Sequence, residues 1–258
     1  MTANYVICPP VLTAMRSRSV FAVVLATILT AGSATATPLV NPTSVERLSY
    51  SWKLTGGLAW LASVAIPTSG TGTLETRTDD KVHSRLAMTA PNQRGGAFYD
   101  SHMSADGTRT FTSVNGYSWR NRFEEKRVVF DYEAGVARVE ERSHEGIENK
   151  VRQLEDSTPQ DVLTSIYYLR QHADEITTPR RTVVYSEGKP YAFIFTPRKV
   201  TTMRRGSENV RVRPFDITPI DGKKKGAVHV WLTDDEQRVP LKIEIDQQYA
   251  TLELKLRN

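Results

Sequence analysis

The chain has 258 residues, 39% apolar and 24% charged, with a formal net charge of +5 and one cysteine. One cysteine excludes an intrachain disulfide framework and a thiolate zinc cluster, and 15 Gly with 13 Pro excludes collagenous and low-complexity classes. What is left is a globular chain of one or two domains.

The first 36 residues read as a cleaved secretory leader. Arg16 and Arg18 supply a basic region, Val20 to Ala31 (VFAVVLATILTA) is an uncharged, mostly apolar stretch, and Ala34-Thr35-Ala36 offers small residues to a signal peptidase. The apolar stretch of twelve falls short of the roughly 20 residues that span a bilayer. Met15 is an alternative start, because residues 1–14 carry no charge ahead of the basic pair. Cleavage removes Cys8, and with no cysteine at the cleavage point a lipobox anchor is excluded. The expected product is a periplasmic domain, Thr37 to Asn258, of 222 residues with a charge of +3. Its apolar content is about 36%, low for a globular domain.

From residue 45 onward the pattern is period-2 alternation broken by turns. Leu48, Tyr50, Trp52 and Leu54 alternate with polar residues up to Gly56-Gly57, and Leu58–Ile66 is a continuous apolar run. Strands are expected within Leu74–Ala90 and around Phe98-Tyr99, Thr110–Val114 and Tyr117–Arg122, with turns at Asp106-Gly107 and Asn115-Gly116. Further strands follow at Arg127–Tyr132, Val136–Glu141, Arg181–Ser186, Tyr191–Thr196, Lys199–Arg204 and Asn209–Phe215. The C-terminus reads as a meander of Val228–Thr233, Val239–Ile245 and Thr251–Leu256, turning at Asp234-Asp235. Pro240 stands near a strand start, where a missing donor is tolerated.

One helix, at about 159–171, interrupts the strands. Thr158 is the expected N-cap, Pro159 the first helical residue and Asp161 the third, near the positive helix end. Arg170 stands at the negative end, or pairs with a buried carboxylate from a strand. A single helix cannot cover a sheet of ten or more strands. The fold class is therefore all-β: one antiparallel curved sheet forming a barrel or half-barrel, with the helix against or inside it.

Three stretches resemble the bacterial exported family known as domain of unknown function 3108. They are Leu48-Ser-Tyr50-Ser-Trp52 with the following glycines, the helix from Pro159 to Arg170, and Val230–Ile243 with the strand Thr251–Leu256. The resemblance implies a periplasmic, mostly β protein and carries no chemistry with it. The implied shape is similar to curved-sheet envelope lipid carriers, an analogy of fold alone.

The sequence shows no catalytic motif. His83, His102, His144, His172 and His229 form no metal-ligand spacing, so neither metal nor cofactor is expected. Neither a nucleophile elbow nor a phosphate loop occurs. A hydrolase acting on envelope glycans or lipids ranks last, since triads assemble in space.

Two sets of residues are candidates for binding. Trp52, Trp60, Trp119, Tyr167 and Trp231 either line an apolar cavity or fill the core. Arg204, Arg205, Arg211, Arg213 and Lys223, Lys224 and Lys225 form either an anion or partner patch or a solvated hairpin edge. The expected function is a non-catalytic binding module for a hydrophobic or amphiphilic envelope molecule. The alternative is an envelope interaction protein with a solid core that docks on a protein partner. Nucleic acid is disfavoured by the compartment.

Overall fold

The computed structural model describes residues 44–56, 67–91, 95–120, 122–154, 158, 160–186, 189–220, 226–246 and 250–257. The leader, the 58–66 run, Trp60, Pro159, the turn at Asp221-Gly222 and Lys223–Lys225 lie outside the described residues. In chain order the strands are β1 (Ser44–Thr55), β2 (Ser69–Thr78), β3 (Lys81–Thr89), β4 (Gly95–Ser104), β5 (Thr110–Trp119), β6 (Arg122–Asp131), β7 (Val136–Ser143) and β8 (Gly146–Gln153). Then come β9 (Gln160–Asp161), the helix α1 (Val162–Gln171), β10 (Arg180–Ser186), β11 (Lys189–Pro197), β12 (Thr201–Arg205), β13 (Glu208–Pro219), β14 (Val228–Thr233), β15 (Pro240–Asp246) and β16 (Thr251–Leu256).

All sixteen strands belong to one sheet, ordered β8-β7-β6-β5-β4-β3-β2-β1-β16-β15-β14-β13-β11-β10-β9, with β12 beside β13. Every pair is antiparallel except the two-residue match of β9 with β10. Neighbours along each arm are consecutive strands except β11 and β13, between which β12 intervenes, and α1 stands between the parallel β9 and β10; β1 pairs with β16 to unite the two arms. Alternation sets the inner face. Tyr50 and Trp52 of β1, Leu74 of β2, Leu86 of β3 and Leu252, Leu254 and Leu256 of β16 are buried in one core with Val162, Leu163, Ile166 and Leu169 of α1.

The sheet curls until its arms overlap. Val184 of β10 faces this main core. The neighbouring Tyr185 faces a second, smaller core with Val128 and Phe130 of β6 and Ala137 and Val139 of β7. The rings of Phe130 and Tyr185 meet edge-on, 5.5 Å between centroids. Among the described residues the overlap is sealed by side chains and not by a backbone ladder. The Asp161 amide donates to Thr110 Oγ1 (2.8 Å), and Gln160 Nε2 donates to the Gly107 carbonyl (3.1 Å).

Three sequence expectations need correction. Asn115-Gly116 is no turn but lies inside β5, and the expected strands on either side of it are one strand. Pairing with β4 on one side and β6 on the other holds Gly116 extended, and a Cβ there would stand 2.8 Å from the Phe98 ring. The helix begins later than expected, with Asp161 as its N-cap, because pairing with β10 holds Gln160 and Asp161 extended. β8 was not expected at all, since GIENKVRQ is polar and mostly exposed.

Candidate functional site

β12 and the start of β13 form a hairpin arm beyond the end of β14, whose pairing with β13 begins only at Val212. Register places Met203 opposite Val210 and Arg205 opposite Glu208, across a turn where Gly206 takes φ 58°. Met203 and Val210 pack against the main core. The arm therefore folds its apolar face inward over the end of the barrel and carries arginines at its tip.

Under this arm lies a groove of about 320 Å³. Its apolar part is Met203 of the arm, Leu241 of β15 and Leu256 of β16. Arg204, Arg205, Lys255 and Arg257, all exposed, surround it. Among the described residues, no carboxylate lines the groove. Arg204 Nε donates to the Gly206 carbonyl at 3.1 Å, which steadies the turn. Beneath Leu256 stands its β1 partner Tyr50, fully buried, whose hydroxyl donates to the Pro240 carbonyl at 2.9 Å. Burial pushes the Tyr50 phenol well above its ordinary range, with Arg170 and more weakly Arg205 pulling the other way. The groove thus joins apolar surface to four cations held at one end of the sheet. Such a surface suits a molecule with an anionic head and an apolar tail.

The sequence-derived candidates separate in space. Arg204 and Arg205 reach the groove, but Arg211 and Arg213 are engaged with Asp234 at 2.9 and 3.0 Å. Arg213 also contacts Asp174 (3.0 Å) and donates to the Ala173 carbonyl, tying the chain after α1 to β13. Lys255 lies in the last strand and Arg257 directly after it, far in sequence from the arm, so no local pattern joins them to it.

The described aromatic candidates do not line one cavity. Trp52 is in the core, its Nε1–H donating to the Thr89 carbonyl at 3.3 Å. Trp119 packs on Gly95 at the end of β5, with Arg120 5.8 Å from its ring. Tyr167 packs against the turn at Gly107, and burial raises its phenol pKa. Trp231 is half-buried on the side of β14 opposite Val230 and Leu232, with Lys242 Nζ 4.8 Å from its ring.

Cross-strand register also assembles a cluster that spacing along the chain did not reveal. His83 of β3 faces His102 of β4, and with Asp100 their ligand atoms lie within 4.8 Å of one another. His83 Nε2 stands 3.0 Å from Asp100 Oδ1, and Arg85 takes the other oxygen at 3.2 Å. The imidazoles stack with centroids 4.2 Å apart and planes 8° from parallel, so their in-plane lone pairs do not converge on one point. Burial and the neighbouring His83 lower the pKa of His102. As placed, His83 is hydrogen-bonded to Asp100 and His102 stacks on His83, which is not a formed coordination shell.

Among solved structures, the chain is similar to a β-barrel-like protein of domain of unknown function DUF1849 from Brucella abortus. The TM-score is 0.56 at 13% identity, covering 84% of this chain and 97% of that one, and the likeness is one of fold. A DUF1329 family protein from Desulfovibrio piger ATCC 29098 aligns over 84% of this chain and 85% of its own, at 7% identity and a TM-score of 0.23, and carries no argument. No curated protein matches the chain. Residues 40–257 match the family described as protein of unknown function DUF3108, and the chain belongs to that family.

Proposed function

We propose that this protein is an exported, non-catalytic binding module of the cell envelope that takes an amphiphile with an anionic head. Export rests on the leader-like arrangement of Arg16, Arg18, the apolar stretch and Ala34-Thr35-Ala36. One observation carries the binding reading: four cations, Arg204, Arg205, Lys255 and Arg257, stand around the apolar surface of Met203, Leu241 and Leu256. None of the four forms an ion pair with a described carboxylate, whereas Arg211 and Arg213 beside them do. Clustered like charges without counter-ions are a cost in the free protein, and an anionic ligand relieves it. A volume of about 320 Å³ is at the small end of ligand sites, enough for a head group and the first part of one chain.

The test is titration of the purified protein with a single-chain lysophospholipid bearing a phosphate monoester head, beside its choline-headed counterpart and inorganic phosphate. The phosphate-headed amphiphile should bind tightest, and binding should weaken as salt rises. Arg205→Glu with Lys255→Glu should abolish it while circular dichroism stays unchanged. Equal binding of both amphiphiles, or binding that survives the double reversal, overturns the proposal.

A further inference from the structure

We propose that β8 is a self-complementary edge through which two copies of this chain pair strand to strand. β8 ends the sheet path, so one of its hydrogen-bonding sides has no strand partner among the described residues. Natural edges are usually short, bulged or broken by proline. This one runs eight residues without proline and pairs with β7 in unbroken register. Ile147 and Val151 are the most exposed large apolar side chains described, at 64% and 63%. They flank Asn149 on one face of the strand. Glu148 and Lys150 point to the other face, 2.8 Å apart.

In an antiparallel pair, opposite residues share a face, so a two-fold axis through one continuous sheet must pass beside a residue and its own copy. With the axis at Asn149, Ile147 meets Val151 of the second copy and Glu148 meets Lys150. Each of these contacts is repeated by the symmetry. Moving the axis one residue either way puts Glu148 against Glu148 or Lys150 against Lys150, which cross-strand pairing disfavours. The register at Asn149 therefore joins apolar to apolar and acid to base with a neutral amide on the axis. This surface lies on β8 and is independent of the groove under the β12–β13 arm.

Single-cysteine crosslinking in a Cys8→Ser background tests the register, because the chain has no other cysteine. Opposite residues at a two-fold axis have Cα atoms 4.5–5.5 Å apart, within disulfide reach. Asn149→Cys should form a disulfide-linked dimer on mild oxidation at least about tenfold faster than Ile147→Cys, whose copies stand well apart. Light scattering should give the mass of two chains for the unmodified protein and of one chain for Glu148→Lys or Lys150→Glu alone. An equimolar mixture of those two variants should return to the two-chain mass. A one-chain mass for the unmodified protein, equal crosslinking at 147 and 149, or a mixture that stays dissociated overturns the proposal.

Discussion

Ser101 of β4 donates its hydroxyl to the fully buried carboxylate of Asp161, the residue that caps α1. The other carboxylate oxygen accepts the Thr164 amide at 2.7 Å, and Thr110 Oγ1 both accepts the Asp161 amide and donates to Thr164 Oγ1 (2.7 Å). Asp161 therefore joins the helix to two strands, to β4 through its carboxylate and to β5 through its amide. Asp161→Ala should destabilise the fold by about 3 kcal/mol, from the lost cap and the buried donors left behind. Denaturant titration against the unmodified protein checks it.

The same group carries a pH dependence of definite sign. Burial raises the Asp161 pKa above its ordinary 3.8, outweighing the hydrogen bonds from Ser101, Thr164 and Ser113. The folded chain then holds the proton more tightly than the unfolded chain does. Its contribution to stability is complete below about pH 4 and declines as pH rises toward the folded-state value. Asp161→Asn keeps an acceptor for the Thr164 amide and cannot ionise, so its stability should lack this decline above about pH 4. Parallel pH profiles for the two proteins would sink the assignment.

Arg170 stands at the helix C-terminus, where the sequence left open a pairing with a buried carboxylate. It contacts Glu46 of β1 at 3.1 Å and donates to the carbonyls of Gln237 and Arg238 at 3.0 Å. Both charged side chains are largely buried. Arg170→Met removes the buried guanidinium that faces Glu46 and holds the Gln237 and Arg238 carbonyls, and should cost about 3–5 kcal/mol. Adding Glu46→Gln should recover part of that loss, measured as a coupling in a double-mutant cycle.

Gly116 offers a steric test of β5. A Cβ there would stand 2.8 Å from the Glu124 carbonyl oxygen and 2.8 Å from the Phe98 ring. Gly116→Val should destabilise by about 1–3 kcal/mol through overpacking. Phe98→Leu in the same chain should return part of it. An unchanged midpoint for Gly116→Val would place the Phe98 ring elsewhere.

The cations of the groove should contribute nothing to the stability of the free protein. Neutralising Lys255 or Arg205 to Gln should leave the melting temperature unchanged or raise it by about 1–2 °C, a gain that shrinks in high salt. A fall of several degrees in differential scanning calorimetry would make these side chains part of the framework and remove them from the binding proposal.

Strands with a clear inside and outside were legible in the sequence, because the alternation of Leu252, Leu254 and Leu256 is itself the cause of their burial. β8 was not legible, since with one face charged and the other mixed it carries no alternation to read. Asn115-Gly116 misled for the opposite reason: a strong local turn signal yields when strands pair on both sides of it, as β4 and β6 do here. Half of the groove was visible as Arg204 and Arg205. The other half, Lys255 and Arg257, depends on the pairing of the last strand with the first, a contact spanning most of the chain.

The overlap between the two arms has a mechanical consequence. Elsewhere around the sheet, parting two strands means breaking a ladder of backbone hydrogen bonds at once. Along the overlap the described joints are the small apolar core around Phe130 and Tyr185 and the side-chain hydrogen bonds made by Thr110 and Gln160. The strength of that closure therefore rests on packing and on a few named side chains, so single substitutions at Thr110, Phe130, Gln160 or Tyr185 bear on it as no single residue bears on a ladder.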